Sequence, residues 1–303
     1  MPNDRPSSRE MTEPNPDGTI AWRALLAEAT DALQAVSESP ALDARRIIET
    51  AAGFEPAEYA MGLDDLVTTR GMAAFDRMVA RRRNGEPLQY VVGSWGFRTL
   101  DLMVDRRVLI PRPETEMVAG LAIEEIDVLQ ARKVVDLGTG SGAIALSMAV
   151  EREVEVWASD VSTDALAVAR ANLGGVGRAA TRVTLCEGSW FDALPVDQRG
   201  CFDVIVSNPP YVADAEQLPA VVADWEPHVA LFAGEDGTDA LVTIIDAAHD
   251  WLTENGTLVL EMAPQQTARA AQLCVDAGFA TAVVISDQND RDRAVVARKR
   301  GTP

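Results

Sequence analysis

The sequence predicts an α/β fold: a doubly wound, mostly parallel sheet of seven strands with an antiparallel last strand, joined to a small N-terminal helical domain. From residue 133 onward, short apolar runs alternate with amphipathic helical stretches, the pattern of strands linked by helical crossovers. Only a turn containing Asn289 and Asp290 separates the last two runs, too short for a parallel crossover, so the closing pair is antiparallel. Before residue 84 the apolar positions instead recur at three- and four-residue steps, the period of helices.

Residues 1–18 are rich in Pro, Asn, Asp and Ser without apolar periodicity and read as a disordered lead-in. Residues 19–84 read as a bundle of about four helices, marked by Ile20, Leu25, Leu26, Ala29 and Leu33, then Leu42, Ile47, Ile48 and Ala51. Its breaks fall at Ser39 and Pro40, at Gly53, at Pro56 and at the Asn84 to Pro87 turn. Residues 85–110 change period, with Tyr90, Val91 and Val92 before Gly93 and Phe97, Leu100, Leu102 and Val104 after it, and read as a β-hairpin linker. Pro111 and Pro113 then open a helix with Thr115 as its cap. The remainder, 111–303, forms the larger domain. Its strands are expected at 133–137, 154–159, 182–186, 202–206, 256–261, 281–286 and 294–298, with helical patterns between the first six, as at 144–150, 162–173, 238–252 and 265–277.

The 303 residues are 47% hydrophobic and 24% charged, an ordinary globular balance. The formal charge of −20 repels a phosphate backbone and speaks against direct nucleic-acid binding. Three cysteines without CxxC spacing and only two histidines support neither a disulfide framework nor a metal site. No secretory leader and no run near the roughly 18 apolar residues of a membrane span is present, so a cytoplasmic protein is expected.

Two segments carry chemistry. Residues 134–142 (VVDLGTGSG) are an apolar strand running into Gly138, Gly140 and Gly142, glycines that let a ligand approach the backbone closely. The spacing is GxGxG, not the GxGxxG of dinucleotide folds. About 20 residues on, Asp160 ends the second strand, placed to accept hydrogen bonds from ribose hydroxyls, so a nucleoside-bearing cofactor is expected. Residues 205–211 (IVSNPPY) end the fourth strand of the sheet and face the same crevice, because ligands of open α/β sheets bind at the carboxyl ends of strands. Two prolines stiffen that loop, Asn208 offers an acceptor and two donors, and Tyr211 offers an aromatic face. A planar amide or amino nitrogen suits such a clamp.

Together the glycine loop, Asp160 and the NPPY tetrapeptide resemble the class I S-adenosylmethionine-dependent methyltransferases. The segments 85–93 (GEPLQYVVG) and 108–116 (VLIPRPETE) are similar to the family that methylates N5 of a glutamine in peptide chain release factors, often called PrmC or HemK. The resemblance spans residues 20–300 and implies a Rossmann-like methyltransferase sheet, S-adenosylmethionine as cofactor and release factors as protein partners. It further implies that Gly138, Thr139, Gly140, Ser141 and Gly142 wrap the methionine part of the cofactor, that Asp160 binds its ribose and that Trp190 lies beside the adenine. Asn208, also expected to touch the cofactor, and the carbonyl of Pro209, ahead of Pro210, are implied to accept the two N–H groups of the substrate glutamine while Tyr211 packs on its amide plane. Arg112 and Glu114 are expected at the pocket wall, and the helical bundle is expected to grip the substrate. A rival reading is methylation of adenine N6 or guanine N2, since the tetrapeptide suits any planar amino nitrogen. A basic track for nucleic acid is missing from the composition.

Overall fold

The computed structural model describes residues 19–300; the lead-in expected at 1–18 lies outside the described residues. The chain divides between Gly93 and Ser94 into two units.

The first unit holds helices α1 (Trp22–Leu33), α2 (Pro40–Ala52), α3 (Tyr59–Gly62), α4 (Thr69–Arg83) and α5 (Leu88–Val92). Their apolar stripes meet in a core that includes Trp22, Leu25, Leu33, Ile47, Ile48 and Phe75, each large side chain contributing about 1.5–3 kcal/mol by leaving water. Pro40 opens α2 at its first turn and Gly53 ends it in the left-handed region, φ 73°. Of the basic run that ends α4, Arg81 pairs with Glu86 and Arg82 with Asp43, so these charges stitch the unit together. The segment 88–92, expected to be extended, is instead a helical turn. Pro87 starts it, Gly93 stops it at φ 83°, and Leu88, Tyr90 and Val91 are buried; burial overrides the β preference of Tyr and Val.

The second unit begins with the hairpin β1 (Ser94–Phe97) and β2 (Leu100–Met103), followed by α6 (Pro113–Leu129). The large sheet follows, with β3 (Lys133–Leu137), β4 (Glu155–Asp160), β5 (Val183–Glu187), β6 (Phe202–Ser207), β7 (Leu252–Glu261), β8 (Thr281–Ser286) and β9 (Asp292–Arg298). Its helices are α7 (Ala143–Glu151), α8 (Thr163–Leu173), the short α9 (Ala220–Ala223), α10 (Asp239–Trp251) and α11 (Thr267–Asp276). Strand order is β5-β4-β3-β6-β7-β9-β8, with β9 antiparallel to both neighbours and the other pairings parallel. One correction concerns the span between β5 and β6, where a helical pattern was expected. It holds only 3-10 turns at Trp190–Ala193 and Val196–Gln198, because Gly188, Pro195 and Gly200 interrupt any longer helical period.

Successive residues of each strand point to opposite faces. Val134, Val204, Val206 and Val259 pack with Val118, Ile123 and Ile144 on one side of the sheet. Val135, Ile205, Leu258 and Leu260 pack with Leu241, Ile244 and Ala270 on the other. Strand β3 has β4 on one side and β6 on the other, so the chain reverses direction of winding there, the point where ligands enter such sheets.

Candidate active site

The loops leaving β3 and β6 open into one cavity of about 450 Å³, the size of a small-molecule site. On the β3 side, Gly138, Gly140 and Gly142 take φ 73°, 57° and 86°, left-handed values that side chains resist. A Cβ on Gly138 would lie 3.2 Å from the ring of Trp190, so glycine keeps space open between loop and indole. Asp160, at the end of β4, fastens this loop: one carboxylate oxygen accepts from the Gly140 N–H at 2.8 Å and the other from the Ser162 N–H at 2.9 Å. Burial raises the Asp160 carboxyl above its ordinary range, and those backbone donors oppose the rise.

Gly138, Thr139, Gly140, Ser141, Asp160 and Trp190 all line the cavity. Gly142 does not; it sits at the N-cap of α7. Trp190 holds φ 47°, a strained value for a bulky residue, with its carbonyl receiving the Ser159 hydroxyl at 3.3 Å. The cradle fits a nucleoside whose neighbouring group is cationic, since carboxylates accept from ribose hydroxyls and repel a phosphate. Asp136 adds a buried carboxylate beneath the loop, accepting from the Thr139 hydroxyl at 2.7 Å and the Ala145 N–H at 3.1 Å, while its other oxygen is unpartnered.

Burial pushes the Asp136 carboxyl from its ordinary 3.8 up to about 7, against the pull of Thr139 and Ala145. The folded chain therefore holds this proton to a higher pH than the unfolded chain does. Stability contributed by the group is present below about pH 4 and is lost as pH rises through about 7. Melting curves across that window should show a decline of order 1–4 kcal/mol, and Asp136→Asn should flatten it; an unchanged slope would show that Asp136 is ionised throughout.

On the β6 side, the Ser207 hydroxyl donates to the Leu137 carbonyl at 2.6 Å, locking β6 to β3 beside the site. Asn208 and Pro210 line the cavity, whereas Pro209 is buried and Tyr211 half-buried. The Tyr211 carbonyl accepts from the Gln266 side chain at 3.0 Å, and burial, with Glu261 nearby, pushes its phenol up to about 12. The Asn208 amide nitrogen donates to the Thr115 hydroxyl at 3.1 Å. Thr115 does not cap α6, as its sequence position predicted: Arg112 is the N-cap, and Thr115 lies inside the first turn, 4% exposed. Its hydroxyl also donates to Glu261. Burial pushes the Glu261 carboxyl up to about 7, with Thr115 and Arg293 pulling it down.

Arg112 and Glu114, expected at the wall, do not line the cavity; Pro111 and Thr115 beside them do. Each charge finds a counter-ion elsewhere. Arg112 meets the buried Glu226 at 2.5 Å, and Glu114 meets Arg291 at 3.1 Å. Sequence reading also missed Thr115 as a site residue, along with Val108, Leu109, Ser162 and the loop at Val229 and Ala230, which line the cavity too. Ser162 alone carried a local sign, as the side-chain cap of α8.

Family models match in two places: the PrmC N-terminal domain over residues 24–93 and the methyltransferase small domain over residues 115–225. The release factor glutamine methyltransferase of Xylella fastidiosa (strain 9a5c) is 38% identical over 280 residues, which covers 92% of this chain and 98% of that one. That of Rhodopirellula baltica is 38% identical over 238 residues, 75% of this chain and 78% of the relative. That of Streptomyces coelicolor is 37% identical over 285 residues, 91% and 98%.

Proposed function

The chain belongs to the release factor glutamine methyltransferase family, and we propose that it transfers a methyl group from S-adenosylmethionine to the side-chain amide nitrogen of the glutamine in a Gly-Gly-Gln loop of peptide chain release factors. The observation that carries this reading is the meeting of the glycine cradle and the Asn208 amide in one cavity at the point where the sheet reverses.

S-adenosylmethionine, when bound, supplies an electrophilic methyl on a sulfonium. Gly138, Thr139, Gly140 and Ser141 would hold its methionine part, Asp160 its ribose and Trp190 its adenine. An amide nitrogen is a weak nucleophile because its lone pair is delocalised into the carbonyl, so orientation is the enzyme's main task. Asn208 Oδ1 and the Pro209 carbonyl accept the two N–H groups, which fixes the nitrogen and favours the positive charge that grows on it; one of those two protons is then released to water, leaving the neutral N-methyl amide. Tyr211 packs against the amide plane. The helical unit, with its own core, gives the release factor a docking surface. Release factors act at the ribosome, so the enzyme works in the cytoplasm; no helix among the described residues is long and apolar enough to cross a membrane.

The test is transfer of labelled methyl from S-adenosylmethionine to a purified release factor, beside its Gln→Ala variant, total RNA and duplex DNA. Label confined to the wild-type factor is the expected result. Label on nucleic acid, with none on the factor, would replace this reading with base methylation.

A further inference from the structure

We propose that Thr115 and Glu261 form a positioning relay that decides which side of the Asn208 amide meets the substrate, an inference that rests on the methyl-transfer function above. Three elements converge to build it. Asn208 follows β6, Glu261 ends β7, and the two strands pair in parallel with Ser207 opposite Leu260, so Asn208 and Glu261 emerge side by side. The first turn of α6 then brings Thr115 against both.

The logic is one of proton count. A threonine hydroxyl has one hydrogen to give and lone pairs to receive. An ionised carboxylate only accepts, so the hydroxyl hydrogen is committed to Glu261 and the Thr115 oxygen is left as an acceptor. Toward Thr115, Asn208 must therefore present its NH2 group, as the 3.1 Å contact from Nδ2 shows. Oδ1 is consequently the free polar atom of the amide, the acceptor that a substrate N–H needs. Without the relay, the oxygen and nitrogen ends of Asn208 have nearly the same shape, and a flipped amide would set donor against donor at the reacting nitrogen. Thr115 and Glu261 are 4% and 1% exposed, so water cannot substitute for either partner. One Glu261 oxygen has no partner at all, and the other charged or titratable groups around it are Arg293, Arg112, Glu114 and Tyr211.

The relay is tested by measuring kcat, KM for the release factor and cofactor affinity for Thr115→Val, Thr115→Ser and Glu261→Gln enzymes. Thr115→Val keeps the volume and removes the hydroxyl; kcat should fall about 10- to 100-fold with cofactor affinity unchanged. Thr115→Ser, which restores the hydroxyl, should recover most of the loss. A protonated Glu261 is able to donate, which frees the hydroxyl hydrogen and unsets Asn208, so wild-type kcat should fall as pH drops through about 7. Glu261→Gln, which has no titrating proton and still accepts from Thr115 through Oε1, should lack that limb. Thr115→Val with near wild-type kcat, or a loss that Thr115→Ser shares, would overturn the relay while leaving methyl transfer intact. Wild-type enzyme that never labels a release factor would instead overturn the function on which the relay rests.

Discussion

Asn208→Ala is expected to lower kcat for methyl transfer about 10²- to 10³-fold while changing affinity for S-adenosylmethionine by less than about threefold. The substitution removes the one polar side chain of the NPPY loop that lines the cavity and leaves its prolines in place. Stabilisation by a preorganised hydrogen-bond partner is greatest where charge develops, and here that is the amide nitrogen once the methyl moves. The loss should therefore appear in kcat more than in KM. Single-turnover transfer and calorimetric cofactor binding separate the two. A parallel collapse of cofactor affinity would mean that Asn208 serves the cofactor and not the glutamine.

Glu226→Ala should destabilise the fold by about 2–4 kcal/mol and weaken cofactor binding as well. One Glu226 oxygen pairs with Arg112 at 2.5 Å and the other accepts from the Ile110 N–H at 3.2 Å. Removing the carboxylate strands a buried backbone donor and an unpaired guanidinium together. The cost stays below that of a fully enclosed pair because the Arg112 side chain keeps 32% of its exposure. The two segments so tied carry Val108, Leu109 and Pro111 on one side and Pro227, Val229 and Ala230 on the other, all of which line the cavity. Urea denaturation reads the first effect and cofactor titration the second. Glu226→Gln, which still accepts from Ile110, should lose only part of the stability. A loss below about 0.5 kcal/mol for the alanine variant would show that water already screens the pair.

Legibility in the sequence followed the locality of the forces. Strands β3 and β8 stand at the predicted residues because their apolar runs are bounded by polar or glycine neighbours. The glycine loop and the NPPY loop were legible for a similar reason, since each is a continuous segment whose backbone demands are written in Gly and Pro. The turn at 88–92 was misread because five residues hold too little period to separate helix from strand, and a buried Tyr90 decided it. Thr115 was read as a helix cap because a hydroxyl near prolines suits that role. Its partner Asn208 lies 93 positions away, a relation that no window of sequence contains. The same holds for Arg112 and Glu226, separated by 114 positions; Arg112 looked free for the pocket until folding supplied its counter-ion.

The placement of β9 between β7 and β8 governs the order in which the enzyme is completed during its own synthesis. Strand β8 is made before β9, yet its sheet neighbour is β9, so on the growing chain residues 281–286 have no edge to join. Thr257 and Glu125 are likewise left waiting for Arg298, whose guanidinium closes the buried cluster they form. A ribosome that stalls before residue 292 thus carries a chain with its glycine loop fastened between β3 and β4 but an open sheet edge at β7, the type of edge that invites pairing with another chain. For this topology, the final strand works as the closure of the sheet.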